Sequence, residues 1–170
     1  PHVRTKIEQL GTADIVIGIP SYDSGDTISH VVQVIIQGLD HYYKDRKALI
    51  VISDGGSTDD TRELARAIDP KSYNIESIVT VYRGSHGKGS GLRAVFEVAA
   101  FLKARAIAVF DSELLSITPE WVRNILDPVV EGYDYVAPDY KRYKLDGTIT
   151  NTIAYNLTRA LYGKKIRQPI

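Results

Sequence analysis

The stretch Ala48-Leu49-Ile50-Val51-Ile52-Ser53-Asp54-Gly55-Gly56-Ser57-Thr58-Asp59-Asp60 decides the fold. Its apolar opening has strand length, and the serine, aspartate and glycines that follow favour a turn. A helix is predicted over about residues 58–68, with Asp59 and Asp60 near its start, where the helix dipole favours negative charge. Ser57 reads as the N-cap of that helix rather than as a nucleophile. Apolar run, polar turn and helix together make half of a strand-helix-strand unit.

The same order recurs on either side. Upstream, residues 14–19 are predicted as a strand, followed by the loop Pro20-Ser21-Tyr22-Asp23-Ser24-Gly25. The next helix carries Ile28, Val31, Val32, Ile35, Ile36 and Leu39, and their intervals of three and four put them on one face, as a helix lying on a sheet requires. Downstream, a strand over residues 75–82 leads into Arg83-Gly84-Ser85-His86-Gly87-Lys88-Gly89. The helix after it is expected to bury Leu92, Val95, Phe96, Ala99 and Leu102. A fourth strand, residues 104–110, ends at Asp111-Ser112-Glu113. Thr118-Pro119 then reads as an N-cap with proline in the first helical position, opening a helix that carries Trp121, Val122, Ile125, Leu126 and Val129. A fifth strand is expected over residues 133–137, a polar turn over 141–147, and a last helix over about 150–162, stopping at Gly163. Alternation of this kind predicts an α/β sandwich, a mainly parallel sheet with helices on both faces. Ligands of such sheets sit beyond the carboxyl ends of the strands, where all the quoted loops emerge.

Composition narrows the function. The 170 residues suffice for a single domain with a sizeable core. Lysine plus arginine (21) balance aspartate plus glutamate (21), so nothing electrostatic calls for broad nucleic-acid or anionic-membrane binding. The absence of cysteine excludes disulfides, thiolate metal sites and cysteine nucleophiles, and is compatible with a cytoplasmic protein. No apolar run approaches the roughly 20 residues that span a bilayer, and no signal-peptide pattern opens the chain. With no methionine and no element after the last basic run, the chain is expected to be part of a longer gene product.

Three loops carry residues suited to chemistry. Asp111 and Glu113, separated by Ser112 at the end of an apolar strand, would crowd two carboxylates into a poorly solvated place unless a cation neutralised them. Oxygen-only ligands suit magnesium or manganese, although acid-x-acid triplets are also common in solvated turns. Asp54, ending the second strand, either accepts hydrogen bonds from a ligand or closes an Asx-turn on its own backbone. Gly87-Lys88-Gly89 combines a flexible backbone, a cation and a helix N-terminus, which suits a diphosphate, with His86 and Arg93 flanking it. It is not a Walker A loop, because Tyr82 and Gly89 stand where that motif needs glycine and a hydroxyl residue. Gly89-Ser90-Gly91-Leu92-Arg93-Ala94, with Asp111 about 20 residues on, fits a dinucleotide fingerprint, yet two complete units precede it and it leaves Lys88 and Glu113 without a role.

Taken in order, Ile19-Pro20-Ser21-Tyr22 with Asp23, Asp54 to Thr61, Gly87-Lys88-Gly89 and Asp111-Ser112-Glu113 resemble the glycosyltransferases of the GT-A fold, family 2. Within that family the chain is most similar to synthases of glucosyl- or mannosyl-glycerate and their 3-phosphoglycerate relatives, and residues 151–162 followed by Arg167-Gln168-Pro169 add to the likeness. The resemblance implies one nucleotide-sugar-binding domain over residues 1–170, ending before the acceptor-binding part. It implies that Pro20, Ser21 and Tyr22 line the base and ribose pocket with Asp23 nearby, that Asp54 reads the base, commonly uracil or guanine, with Gly55 beside it, and that Gly87, Lys88, Arg93 and Ser112 belong to the donor site. Asp111 and Glu113 occupy the place of the metal motif, with Asp111 and Lys88 as the catalytic charges. The implied cofactor is Mg2+ or Mn2+, the donor a UDP- or GDP-linked hexose, and the acceptor a small molecule or glycan, with the acceptor-side base and third metal ligand expected beyond Ile170. Two positions depart from the family: Glu113 replaces an aspartate, and Gly55 stands where many members carry a second acid.

Two other classes fit parts of the pattern. Nucleotidyl transfer onto a sugar phosphate also uses lysine and carboxylate-bound magnesium, but such enzymes carry basic residues in the loop after the first strand, and residues 20–25 have none. A nucleotide-sugar-binding domain without turnover is the other. The eleven tyrosines are compatible with a homo-oligomer interface and equally with half-buried packing.

Overall fold

The computed structural model describes residues 2–70, 74–82, 84–85, 87–139 and 147–165. Two compact units divide the chain, Pro1–Gly132 and Tyr133–Ile170. The first contains helix α1 (His2–Leu10), strand β1 (Ile15–Ser21), α2 (Gly25–Tyr42), β2 (Ala48–Asp54), α3 (Thr61–Ala67), β3 (Ile75–Val81), α4 (Lys88–Phe101), β4 (Ala106–Val109) and α5 (Pro119–Val130).

The strands form one sheet in the order β3-β2-β1-β4, all parallel. Every residue of β1 and β2 is buried, as expected for central strands covered on both faces. Alternation then divides the core. Ile15, Ile17, Ile19, Ile50 and Ile52 pack with Ile28, Val31, Val32, Ile35 and Leu39 of α2, Ala65 of α3, and Val122 and Leu126 of α5. On the other face Val16, Leu49, Val51 and Ile78 meet Leu10 of α1 and Val95 and Ala99 of α4. The α/β sandwich with helices on both faces is therefore present.

Register fixes the functional edge. Pro20 is level with Ser53, which is level with Thr80, and Ser21 is level with Asp54. The N–H of Phe110 donates to Gly18 O at 3.0 Å, which carries the β1–β4 ladder to the brink of Asp111. The ends of all the strands thus open on one side.

Several local expectations need correcting. Helix α3 begins at Thr61 with Asp60 in the N-cap position, not at Thr58, and Ser57 is not its cap. Phe96 is half exposed; helical geometry turns Gly91, Val95 and Ala99 inward instead. Residues 133–137 are not a strand: they lie in the second unit, Tyr133 and Tyr135 are exposed, and no strand within the described residues of that unit pairs with them. The second unit does contain a π-helical turn (Thr150–Ala154) continuing into α6 (Tyr155–Tyr162), which Gly163 ends in the left-handed conformation. Arg167-Gln168-Pro169, the turn residues 141–146, Arg83 and His86 lie outside the described residues.

Helices α2 and α5 are joined by polar and steric contacts behind the edge. Tyr43, just past α2, donates to Asp127 Oδ1 at 2.6 Å, and burial followed by this bond pushes its phenol well above the usual range. At Gly38 a Cβ would lie 2.7 Å from Val122 Cγ2 and 2.9 Å from the carbonyl oxygen of Pro119. Gly38→Ala is accordingly expected to destabilise the protein by about 1 kcal/mol, since overpacking of roughly 1–3 kcal/mol outweighs about 1 kcal/mol of helix propensity. Equilibrium urea unfolding measures it, and undiminished stability would show that α5 yields at this contact.

Candidate active site

The carboxyl edge of the sheet holds a cleft of about 770 Å³. The loop after β1 supplies Pro20, Ser21 and Tyr22; β2 and its loop supply Ser53 and Gly55; the loop after β3 and the start of α4 supply Tyr82, Gly87 and Lys88. The fourth wall is Asp111, Ser112, Glu113 and Leu114. Residues far apart in sequence therefore meet because parallel strands end together.

Asp54 does not line this cleft. Its side chain is fully buried and accepts from Gly56 N (2.9 Å), Ser57 N (2.9 Å), Ser57 Oγ (2.5 Å) and Ser21 Oγ (3.2 Å), with Arg62 Nε at 3.8 Å. The bonds to Gly56 and Ser57 are those of the Asx-turn alternative. Ser57 also accepts from Asp23 N at 2.9 Å, while Thr58 N donates to Asp23 Oδ1 at 2.7 Å. Asp23 thereby keeps a positive φ of 45°, which aspartate tolerates better than most residues. Asp23 staples the first two loops together and is absent from the cleft wall. Arg93 is absent too: it pairs with Glu97 at 2.8 Å one turn along α4, well exposed.

The charges gather on the opposite wall. Lys88 Nζ forms an ion pair with Asp111 Oδ1, both side chains being about half exposed. Ser112 is turned inward and Glu113 outward, so the two carboxylates flank a buried hydroxyl. No group of three or more potential metal-ligating side chains exists among the described residues. Gly87, at φ 142°, lets the backbone enter α4 in a conformation closed to other residues, and Tyr82 Oη fastens it by donating to Gly87 O and accepting from Gly87 N, each at 3.1 Å.

Tyr82, Ser53 and Leu114 were not singled out from sequence. Tyr82 follows β3 directly, so its position in the register was the available signal. It also explains Gly55: a Cβ there would lie 3.1 Å from Tyr22 Cδ2 and 3.2 Å from Tyr82 Oη. The two tyrosines fill the room that a side chain at position 55 would require.

A twisted parallel sheet with helices on both faces and a loop-walled cleft at its carboxyl edge defines the GT-A fold. It is shared with glucosyl-3-phosphoglycerate synthase from Mycobacterium tuberculosis in complex with Mn2+, UDP and glucosyl-3-phosphoglycerate: TM-score 0.66, 22% identity, covering 97% of this chain and 57% of the synthase. The same synthase with Mn2+, UDP-glucose and phosphoglyceric acid aligns with TM-score 0.63 and 22% identity over 94% of this chain and 54% of that one. Glycosyltransferase AglJ of Haloferax volcanii is 32% identical over 120 residues, which is 71% of this chain and 34% of AglJ. The protein belongs to glycosyl transferase family 2, whose sequence pattern it matches across residues 16–168. It spans about a third of AglJ and little more than half of the synthase.

Asp54→Ala is expected to lower stability by roughly 3–5 kcal/mol in urea unfolding, because Arg62 and several buried donors lose their acceptor; an Asp54→Ala protein as stable as wild type would contradict a structural carboxylate. Asp59 is held below the usual carboxylate range, foremost by the Thr61 hydroxyl and then by the N–H groups of Gly25 and Thr61. Its stabilisation is complete above the unfolded carboxylate range near pH 4 and is lost as pH falls through the lower folded value. The stability gap between wild type and Asp59→Asn should therefore be wide at pH 7 and narrower at pH 3; a gap that does not shrink on acidification would refute the assignment.

Proposed function

We propose that this chain is the donor-binding part of a metal-dependent glycosyltransferase that moves a hexose from a nucleoside-diphosphate sugar to an acceptor. The observation that carries the reading is the convergence of Tyr22, Gly55, Lys88, Asp111 and Glu113 on one cleft. In this reading Pro20, Ser21, Tyr22 and Gly55 receive the base and ribose, and Gly87 and Lys88 face the diphosphate. UDP is the favoured nucleotide, supported by the UDP and UDP-glucose bound in the structural relatives; GDP is the alternative. The acceptor is a small molecule or glycan.

The donor set suits a hard divalent cation. Asp111 and Glu113 offer oxygen ligands only, and two protein carboxylates leave positions for phosphate oxygens and water, as Mg2+ or Mn2+ requires. Asp111 would hold the cation directly, and Glu113 through its longer arm, through water, or by gripping the sugar instead. When bound, the cation supplies positive charge to the departing diphosphate. Lys88 adds an ammonium to the same wall, so the sugar–phosphate bond breaks where negative charge is already stabilised. Asp54 and Asp23 contribute by holding the loops in place. No helix among the described residues is long and apolar enough to cross a membrane. A cytoplasmic location belongs to this reading, and the lack of cysteine is compatible with it.

Titration calorimetry with UDP and GDP, with and without Mn2+, tests the reading. UDP is expected to bind and Mn2+ to tighten it. Asp111→Asn should weaken the Mn2+-dependent part by at least about tenfold while leaving the melting temperature near that of wild type. Absence of nucleotide binding, or an Asp111→Asn protein with unaltered Mn2+ dependence, overturns it; pyrophosphate release from a nucleoside triphosphate and a sugar phosphate would assign nucleotidyl transfer instead.

A further inference from the structure

Building on the donor-site reading, we propose that Thr27, assisted by Ser24, is the positioning residue that holds the acidic triplet in the geometry its cation needs. Thr27 lies in the first turn of α2, far from Ser112 in sequence, and its hydroxyl donates to Ser112 O at 2.7 Å. Ser24 Oγ and Ser112 Oγ lie 2.9 Å apart, with both residues buried. Ser24 Oγ also lies 3.1 Å from Tyr22 O, to which it can donate, and either hydroxyl can be the donor in the serine pair. The middle residue of the triplet is consequently gripped twice from α2, at its carbonyl and at its hydroxyl.

This grip has a directional consequence. Fixing Ser112 inward leaves its neighbours, Asp111 and Glu113, on the cleft wall together. The anchor is itself anchored, since Ser24 N donates to Thr61 Oγ1 at 2.8 Å and Gly25 N to Asp59 Oδ2 at 2.9 Å. A hydroxyl chain therefore runs from the carbonyl of Tyr22, on the nucleotide side, through Ser24 to Ser112, on the metal side. These bonds reach the carboxylates through the backbone between them; loss of outer hydrogen bonds that orient metal ligands commonly lowers metal affinity about 10–100-fold. Neither Thr27 nor Ser24 lines the cleft, so each acts through the triplet.

The test is Mn2+ titration of the folded protein at saturating UDP, beside UDP titration without metal. Thr27→Val, close to isosteric, is expected to weaken Mn2+ about tenfold and to leave metal-free UDP affinity within about twofold. Thr27→Ser, which restores the hydroxyl, should return to near wild-type Mn2+ binding, and Ser24→Ala should weaken Mn2+ in the same direction as Thr27→Val. Thermal melts establish that each variant is folded; if Thr27→Val does not fold, Ser24→Ala and Thr27→Ser decide. Unchanged Mn2+ affinity in Thr27→Val or Ser24→Ala, or an equal loss of UDP with and without metal, overturns the positioning role alone. A wild-type protein that binds neither UDP nor Mn2+ overturns the donor-site reading and the positioning role with it.

Discussion

Asp54 ends β2 with its carboxylate wholly enclosed, and a charge so placed has to be answered by donors atom by atom. Drawing the N–H groups of Gly56 and Ser57 onto it folds the second loop back over its own strand. The Ser57 hydroxyl, once committed to Asp54, is in place to accept from Asp23 N, and the first loop is pinned to the second. Gly55 N donates to Ser21 O at 2.8 Å along the same seam. The cleft wall built from the first two loops thus takes its shape from the solvation needs of one buried acid.

The fold was legible because its strongest signals are local and redundant. Strands β1 and β2 are buried on both faces and so appear as unbroken apolar runs, while α2 buries almost every residue of its stripe. Errors arose where one signal stood alone. Residues 133–137 have β-prone side chains, but strandhood depends on a partner that sequence pattern does not supply. Phe96 was assigned to the core for being apolar, whereas the spacing of Gly91, Val95 and Ala99 turns it outward; a buried glycine carries no hydrophobic signal.

The site was legible to a different depth. Topology alone brings strand-end loops together, so Tyr22, Gly55, Lys88, Asp111 and Glu113 could be named before their geometry was known. Which polar groups face the cleft is another matter. Asp23, Asp54 and Arg93 have side chains of the same chemical types, yet each is consumed by a partner that exists only after folding or one helical turn away: Thr58, the Ser57 group and Glu97. Tyr82 escaped notice for the converse reason, since it read as strand and its role depends on Gly87 lying beside it.

The two acid–base pairs of this edge differ in what they can do. In the pair of Arg62 with Asp54 the acid is wholly buried while the arginine keeps about 32% of its side-chain surface, and stripping Asp54 of its donors would strand a charge away from water. Lys88 with Asp111 is half exposed, where an ion pair is worth about 0–1 kcal/mol and either partner can change company at little cost. The proposed binding of a cation and a diphosphate would require such an exchange of partners, the carboxylate accepting the metal while the ammonium turns to phosphate. An acid as deeply buried as Asp54 could not make that exchange, and one as exposed as Asp111 could not hold two loops in register. On the proposed reading chemistry falls to Asp111, whereas Asp54 serves the architecture, although both are aspartates at strand ends of one sheet.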